Sequence, residues 1–393
     1  MTNDKNNIKL IKSSTMKCRL NNSIKSSRIN VPADTLGRSI YMREEPEGQL
    51  FLMDDFSIIK IPTKDTRYIK KSKYIQRFKT PISVRWDITY QCNFKCLHCY
   101  SNCSWEGINT LATKDAKKLL DIFEDGKVQF VQIIGGEPMI RKDIYELIEY
   151  ALTKKYILSL NSNGYLLNQD VVKHLSDLGL KYIQISLHGF EKEHEYLTTR
   201  VGSFKKAINT ISLLIDSGIS TSVSCVVSDI NIQNVILFLD YLIKVGIKNI
   251  QLLTPLKEGR AKVQKIKLSK KSSKILKDKL IEFKNNNQHI NIDLPGFDVD
   301  LIDGLVNEHK NDPQYEFMFG CSGGVSSIRV NPEGKVGICV GNASEPIGDL
   351  LKESMTDIMK KTYRWRLKNI PEMCVKCKYY LAECQGGCYL RFK

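Results

Sequence analysis

Between Val84 and Leu253 the sequence alternates short apolar runs with longer stretches of helical periodicity. Strands that alternate with helices form parallel βαβ units with right-handed crossovers. Six such strands predict an α/β fold, a partial (β/α)6 barrel of the TIM type with its reacting groups at the carboxyl ends of the strands. The predicted strands are Val84–Thr89, Val128–Ile134, Ile157–Asn161, Tyr182–Leu187, Thr221–Val227 and Asn249–Leu253, and the predicted helices cover residues 112–125, 142–154, 168–178, 203–216 and 231–245.

The segments outside this alternation predict smaller regions around the barrel. The first 30 residues are polar and basic without periodicity, which is typical of a disordered tail. Two apolar stretches that flank Glu45–Gly48 predict a β-hairpin. The last 73 residues show little apolar periodicity and are expected to need metal to fold. The predicted division is 1–30 tail, 31–80 small β-rich region and linker, 81–263 barrel core, 264–320 basic helical connector with an irregular second half, and 321–393 cysteine-rich module.

Composition excludes some classes of protein. No apolar run is long enough for a membrane span, and the polar first 30 residues lack the apolar stretch of a secretory signal, so a cytoplasmic location without membrane association is expected. The net charge of +16 has two explanations. One is attraction to an acidic partner, and the other, which we favour, is a lysine-rich solvated surface. No motif with interleaved aromatic residues predicts nucleic-acid binding.

The chain contains 12 cysteines, which in a reducing compartment indicate metal ligands rather than disulfides. Nine of them fall into two groups, and Cys18, Cys103 and Cys225 stand apart. The two groups are Cys92, Cys96 and Cys99, and Cys321, Cys339, Cys374, Cys377, Cys384 and Cys388.

The first group has the spacing Cys-x3-Cys-x2-Cys on the loop directly after the first predicted strand. Iron–sulfur clusters are held by thiolates, and this close spacing lets one loop wrap a single cluster. Three ligands leave one iron with open coordination, as a catalytic metal needs. The alternatives are a zinc site that borrows Cys103 and a chance cysteine-rich loop.

The CxxxCxxC motif in this position resembles that of the radical S-adenosylmethionine (SAM) superfamily. The resemblance implies a 4Fe–4S cluster whose open iron chelates SAM, reductive cleavage of SAM to a 5′-deoxyadenosyl radical, and hydrogen abstraction from a substrate. Gly135-Gly136-Glu137-Pro138 resembles the GGEP motif of the family, and Ser162-Asn163-Gly164 resembles its TNG-type turn. His188 stands where many relatives have Asp. The residues that the resemblance assigns to cofactor binding are His98, Gly135, Gly136, Glu137, Pro138, Asn163, Ser186 and Arg200, and Pro255–Ala261 resembles the segment after strand six.

The second cysteine group resembles the SPASM extension of radical SAM enzymes, which carries auxiliary 4Fe–4S clusters. By analogy, Cys321, Cys339 and Cys388 would serve one cluster and Cys374, Cys377 and Cys384 the other. The family usually has one more cysteine downstream, so one or two auxiliary clusters remain possible, each with an open or otherwise filled position. A pair of structural zinc sites is the alternative.

Enzymes with this architecture mostly modify peptides or proteins, so the resemblance implies maturation of a ribosomally made peptide. The implied partners are that peptide and an electron donor such as flavodoxin or ferredoxin. The N-terminal hairpin resembles the region before the core in mycofactocin-type maturases and could take a leader peptide by β-augmentation. It is too short for a complete winged-helix domain, so a separate recognition protein is the other possibility.

Two alternatives stay open. One is a radical SAM/SPASM enzyme of haem (tetrapyrrole) biosynthesis or sulfatase maturation. The other is a non-catalytic iron–sulfur or zinc regulator. No catalytic side chain can be assigned: Cys103 and Cys225 are candidate hydrogen donors, but a buried free cysteine is the commoner situation.

Overall fold

The computed structural model describes residues 9–11, 40–45, 48–53, 58–62, 78–106, 110–294, 321–339, 345–375, 386–388 and 390. Its first sheet is antiparallel, in the order β1-β4-β3-β2. The strands are β1 (Lys9–Ile11), β2 (Ile40–Glu45), β3 (Gly48–Met53) and β4 (Ile58–Pro62). The β2–β3 pair is the hairpin that the sequence predicts. The predicted disorder of residues 1–30 is wrong for β1, whose backbone pairs with β4. The other residues of this segment lie outside the described part.

Six parallel strands form the centre of the second sheet and pair with one another in chain order. This confirms the α/β fold with an open, partial barrel, because the sheet does not close on itself. The strands are β5 (Ser83–Asp87), β6 (Phe130–Ile134), β7 (Ile157–Ser162), β8 (Tyr182–Ser186), β9 (Ser220–Val226) and β10 (Asn249–Leu253).

Six helices lie between these strands, and five of them match predicted helices. They are α1 (Thr113–Asp125), α2 (Ile144–Leu152), α3 (Gln169–Asp177), α4 (Glu191–Thr198), α5 (Ser203–Asp216) and α6 (Val235–Lys244). The sequence analysis missed α4, because it spans only 8 residues and buries a histidine and a threonine beside one leucine. None of the described helices is both long and apolar enough to cross a membrane.

The core lies between the parallel strands and the helices packed on them. Trp86 of β5 is fully buried and meets Phe123 of α1 edge to face, with ring centroids 6.1 Å apart. Leu119 and Leu120 lie on the same buried face of α1. Each such side chain stabilises the fold by about 1.5–3 kcal/mol through removal of apolar surface from water. This packing fixes the carboxyl end of β5, from which the cysteine loop begins.

The connector and the C-terminal module extend the barrel sheet at both edges. After α7 (Gly259–Val263) and α8 (Lys270–Asn286), β11 (Asn291–Asp293) pairs in parallel with β10, so the predicted irregular structure is wrong for these three residues. Residues 295–320 lie outside the described part.

At the opposite edge, β12 (Ser327–Val330) pairs in parallel with β5. It continues into β13 (Lys335–Gly337) and β14 (Gly348–Asp349), both antiparallel, and α9 (Met355–Lys368) follows. Buried Ile328, Ile358 and Met359 join the main core. The module thus shares the main core through β12 and α9, although its sequence shows little apolar periodicity.

Candidate functional site

The three cysteines of the first group lie on the loop that follows β5, at the carboxyl edge of the parallel sheet. The backbone N–H of Cys92 donates to the carbonyl oxygen of Ser104 at 3.0 Å, and that of Cys99 donates to Cys96 O at 3.2 Å. The loop is also tied to the end of α4, since Leu97 N donates to Leu197 O at 2.8 Å. All three cysteines are half-buried. The helix that sequence analysis missed is thus one of the supports of this loop.

The thiols of the loop differ in acidity. Burial raises the pKa of Cys92 to about 12 and also raises the pKa of Cys96, while the positive charge of Arg260 acts in the opposite direction on both. A hydrogen bond from the Cys103 thiol is the main reason that the pKa of Cys99 falls to about 6. Metal binding requires thiolates. These shifts favour the thiolate form of Cys99 and the protonated forms of Cys92 and Cys96.

The predicted GGEP motif packs directly against this loop. The backbone N–H of Gly136 donates to Thr89 O, and that of Glu137 donates to Gln91 O, both at 2.8 Å. A Cβ atom on Gly136 would lie 2.0 Å from Gln91 O and 3.1 Å from the Cβ of Cys92. At Gly135, with φ of +154°, a Cβ atom would lie 2.4 Å from Thr89 O. Only glycine permits this approach of two backbones.

Glu137 joins the GGEP motif to the turn after β7. Its buried carboxylate accepts hydrogen bonds from Ser162 Oγ and Asn163 N, both at 2.8 Å, and from Met139 N at 3.2 Å. Burial raises the pKa of Glu137 to about 7 despite these donors. Pro138 begins the short 3-10 helix Pro138–Ile140, for which Glu137 is the N-cap.

Asn163 and Arg200 reach the cysteine loop by different routes. Asn163 Nδ2 donates to Asn93 Oδ1 at 2.7 Å, so the turn after β7 contacts the residue next to Cys92 directly. Arg200 is exposed, and its guanidinium carbon lies 4.8 Å from the ring centroid of Tyr165. Tyr165 in turn packs edge to face on Phe94 of the loop, with ring centroids 5.6 Å apart.

Three histidines form a row of ring contacts that begins at His98 of the loop. The ring centroid of His98 lies 4.3 Å from that of His188, which lies 5.6 Å from that of His194. Burial lowers the pKa of His98 to about 4 and that of His194 to about 3, so both rings are neutral near pH 7. His188 Nδ1 accepts a hydrogen bond from Val226 N at 3.2 Å. Ser186 ends β8 two residues before His188, at the same edge of the sheet.

The donor set of the loop fits an iron–sulfur cluster with a bound polar ligand. Three thiols share one loop, which packs so closely on Gly135 and Gly136 that a Cβ atom on either glycine would clash with its backbone. Within the described residues, His98 Nδ1 and Asn93 Nδ2 are buried and lack a hydrogen-bond partner. The described residues contain no group of three or more His, Cys, Asp or Glu side chains that could hold a metal ion. A cluster takes each thiolate on a different iron.

Four of the six C-terminal cysteines are described, and they lie in one neighbourhood. Cys321 N donates to Gly386 O at 2.7 Å, and Gly387 N donates to the Sγ of Cys374 at 3.2 Å. Cys339 and Cys388 both pack against the small apolar cluster of Ile338 and Leu390. Cys377 and Cys384 lie outside the described residues.

Sequence reasoning missed a buried ion pair that links the two cysteine regions. Arg329 of β12 binds both carboxylate oxygens of Asp87 at the end of β5 through Nε and Nη2. Its Nη1 donates to Tyr100 Oη at 3.0 Å, next to Cys99 in the chain. The pair joins residues 242 positions apart, so no local pattern could reveal it. Arg260 was also missed as a contact of the loop, although its segment was singled out by resemblance.

An open barrel of parallel strands with a three-cysteine loop after its first strand is the architecture of radical SAM proteins, and comparison with known proteins agrees. Residues 86–242 match the sequence profile of the Radical SAM superfamily. The antilisterial bacteriocin subtilosin biosynthesis protein AlbA of Bacillus subtilis is 26% identical over 352 residues, which cover 87% of this chain and 75% of AlbA.

Two further relatives match over shorter segments. The Fe-coproporphyrin III synthase of Methanosarcina barkeri is 29% identical over 46% of this chain and 47% of its own length. The mycofactocin maturase MftC of Mycobacterium ulcerans is 32% identical over 39% of this chain and 42% of its own length. The match therefore spans less than half of these two relatives.

Among solved structures, Streptococcus suis SuiB bound to its precursor peptide SuiA superposes with a TM-score of 0.71, at 17% identity, over 90% of this chain and 96% of SuiB. This likeness confirms the fold. The chain carries a radical SAM domain and is a radical SAM enzyme. Enzymes of this family use a 4Fe–4S cluster and SAM, and auxiliary clusters are typical of its SPASM members.

Proposed function

We propose that this enzyme matures a ribosomally synthesised peptide. The observation that carries the proposal is the extent of the match to AlbA, which covers 87% of the chain. The family profile covers only residues 86–242, so the likeness to AlbA extends well beyond the barrel core. Because one fold hosts many functions, likeness beyond the shared core is more informative about substrate than likeness within it.

At the barrel site, Cys92, Cys96 and Cys99 would hold the cluster that binds SAM. When bound, the reduced cluster supplies the electron that cleaves the SAM sulfonium and so starts hydrogen abstraction from the substrate. The neutral ring of His98 lies within the cysteine motif, and its Nδ1 is available to a ligand. The protein's part is to orient SAM and the substrate and to exclude water.

The other cofactor contacts follow from the site geometry. Gly135 and Gly136 let their turn pack closely against Thr89 and Gln91 at the start of the loop, and Glu137 caps the short helix that Pro138 begins. These four residues are proposed contacts of SAM. Asn163 orients the loop through Asn93. Ser186, at the end of β8, and Arg200, stacked on Tyr165, are the remaining proposed SAM contacts.

In the C-terminal module, Cys321, Cys339 and Cys388 would serve one auxiliary cluster. Cys374, together with Cys377 and Cys384, would serve a second. The proximity of the four described cysteines through Gly386, Gly387 and the Ile338–Leu390 contact supports this arrangement.

The proposal also includes partners and a location. The edge strands β1 and β2 of the N-terminal sheet can each pair with an extended leader peptide, and a net charge of +16 favours an acidic one. A separate recognition protein would serve the same purpose. Reduction requires an electron donor such as flavodoxin or ferredoxin. Because the cysteine ligands must stay reduced, we place the enzyme in the cytoplasm.

The test is anaerobic co-expression with a short peptide encoded next to the gene, followed by mass spectrometry of the peptide. We expect a mass change that depends on Cys99, so that Cys99→Ala leaves the peptide unmodified. The second candidate function is tetrapyrrole modification, which the match to Fe-coproporphyrin III synthase favours. Conversion of a coproporphyrin substrate by the purified enzyme, with every neighbouring peptide left unmodified, would decide for it.

A further inference from the structure

Arg260 of α7 binds the cysteine loop at three points. Its backbone N–H donates to the carbonyl oxygen of Cys99 at 2.9 Å, and its Nε donates to the carbonyl oxygen of Cys96, also at 2.9 Å. Its Nη1 donates to Asn102 Oδ1 at 3.2 Å. A single residue from the segment after the last barrel strand thus holds the loop at Cys96, at Cys99 and at Asn102.

The backbone before Arg260 is shaped for this contact. Gly259 has φ of +54°, and a Cβ atom there would lie 2.4 Å from Tyr100 O and 2.5 Å from Cys99 O. Any side chain would push α7 away from the loop. The start of α7 therefore lies directly against the backbone of the loop, and this brings the guanidinium of Arg260 beside the carbonyl oxygen of Cys96.

The charge of Arg260 is not neutralised by an acidic side chain. Its side-chain partners are a backbone carbonyl oxygen and the amide oxygen of Asn102. In the part of the chain that the structure describes, no carboxylate forms an ion pair with Arg260. This contrasts with Arg329, whose charge Asp87 neutralises. A loop that carries three thiolates would therefore have the uncompensated charge of Arg260 beside it.

We propose that Arg260 is a positioning residue for the cysteine loop and that its charge makes the cluster held there easier to reduce. The inference rests on the proposed ligand role of Cys92, Cys96 and Cys99. One-electron reduction adds a negative charge to the cluster site. A nearby cation stabilises the more negative state, and partial burial strengthens the effect relative to water.

Three variants of the full chain separate charge from geometry. Arg260→Gln removes the charge and part of the hydrogen bonding, whereas Arg260→Lys keeps the charge and loses the planar fork. Lys262→Gln removes one positive charge from an exposed position of the same helix and is the matched control. Each protein is reconstituted anaerobically with iron and sulfide and titrated against electrode potential. The readout is the electron paramagnetic resonance signal that changes on addition of SAM.

At a fixed potential we expect the reduced-to-oxidised ratio to fall about tenfold in Arg260→Gln, which corresponds to ~59 mV for a one-electron couple. Arg260→Lys should stay within about threefold of the unmodified enzyme, and Lys262→Gln should equal it. An unchanged ratio in Arg260→Gln, or an equal shift in Lys262→Gln, would overturn the proposal. If Arg260→Gln does not load the cluster, the test is made with Arg260→Lys. A reduced-to-oxidised ratio equal to that of the unmodified enzyme supports the proposal, and a tenfold fall in this ratio refutes it.

The same titration tests the ligand proposal separately. If Cys99→Ala retains the SAM-responsive signal, the assigned ligands are wrong and the inference about Arg260 fails with them. If Cys99→Ala loses the signal while Arg260→Gln behaves like the unmodified enzyme, the ligands stand and only the role of Arg260 is refuted.

Discussion

Arg329→Met breaks the buried ion pair that joins the C-terminal module to the barrel. The side chains of Arg329 and Asp87 are 8% and 1% exposed, so the variant leaves the Asp87 carboxylate buried without its partner. Removing one member of a buried pair costs about 3–5 kcal/mol. The hydrogen bond from Arg329 Nη1 to Tyr100 Oη and the stacking of the guanidinium on that ring, at 4.9 Å, are lost as well. We therefore expect the free energy of unfolding to fall by about 3–5 kcal/mol.

The assay is equilibrium unfolding in urea followed by tryptophan fluorescence, because buried Trp86 is the neighbour of Asp87 and reports on β5 directly. Lys173→Met, which removes the exposed partner of Asp177, is the control and should leave the midpoint unchanged. The double variant Asp87→Leu/Arg329→Met should recover most of the loss, since apolar residues of similar size can replace a buried pair. A loss for Arg329→Met no larger than that of the control would refute this reasoning.

Three further predictions concern the residues around the cysteine loop. Gly136→Ala places a Cβ atom 2.0 Å from a backbone oxygen of the loop and should abolish cluster loading, measured as iron content. Gly179→Ala strains a backbone with φ of +90° but meets open space, so it should leave cluster loading unchanged. Because the pKa of Glu137 is raised to about 7, its protonated form stabilises the fold at low pH, and this stabilisation is lost as the pH rises to about 7. The free energy of unfolding of the cluster-free protein should therefore fall by about 2–3 kcal/mol between about pH 5 and about pH 8, and Glu137→Gln should lack this fall. The same dependence of unfolding free energy on pH in both proteins would contradict this. Cys103→Ala removes the thiol whose hydrogen bond lowers the pKa of Cys99. Because the thiolate is the form that reacts, alkylation of Cys99 near pH 7 should slow in this variant. An unchanged rate would show that the hydrogen bond does not control the acidity of Cys99.

The barrel could be predicted from the sequence because each of its strands and helices is specified by a pattern of neighbouring residues. Each strand is a short apolar run, each long helix has its own periodicity, and the motifs after the first three strands mark the edge at which the site lies. The structure brings Gly136, Glu137 and Asn163 to the cysteine loop, as that placement implies.

The parts that could not be predicted depend on contacts between distant segments. β12 pairs with β5, although Arg329 and Asp87 are 242 residues apart, and no periodicity specifies which strand will take the free edge of a sheet. The contact of Arg260 with Cys96 spans 164 residues and is equally invisible in the local pattern. α4 is short and buries polar residues, so its sequence lacks the apolar stripe that identifies the other helices.

The central claim is that the loop with Cys92, Cys96 and Cys99 supports the reductive cleavage of SAM. The most direct measurement is 5′-deoxyadenosine formed from SAM by the anaerobically reconstituted, chemically reduced enzyme, compared with Cys99→Ala treated in the same way. The account predicts that the unmodified enzyme forms 5′-deoxyadenosine and that the variant forms none. Equal yields from the two proteins, or no product from an enzyme with its full complement of iron and sulfide, would contradict it.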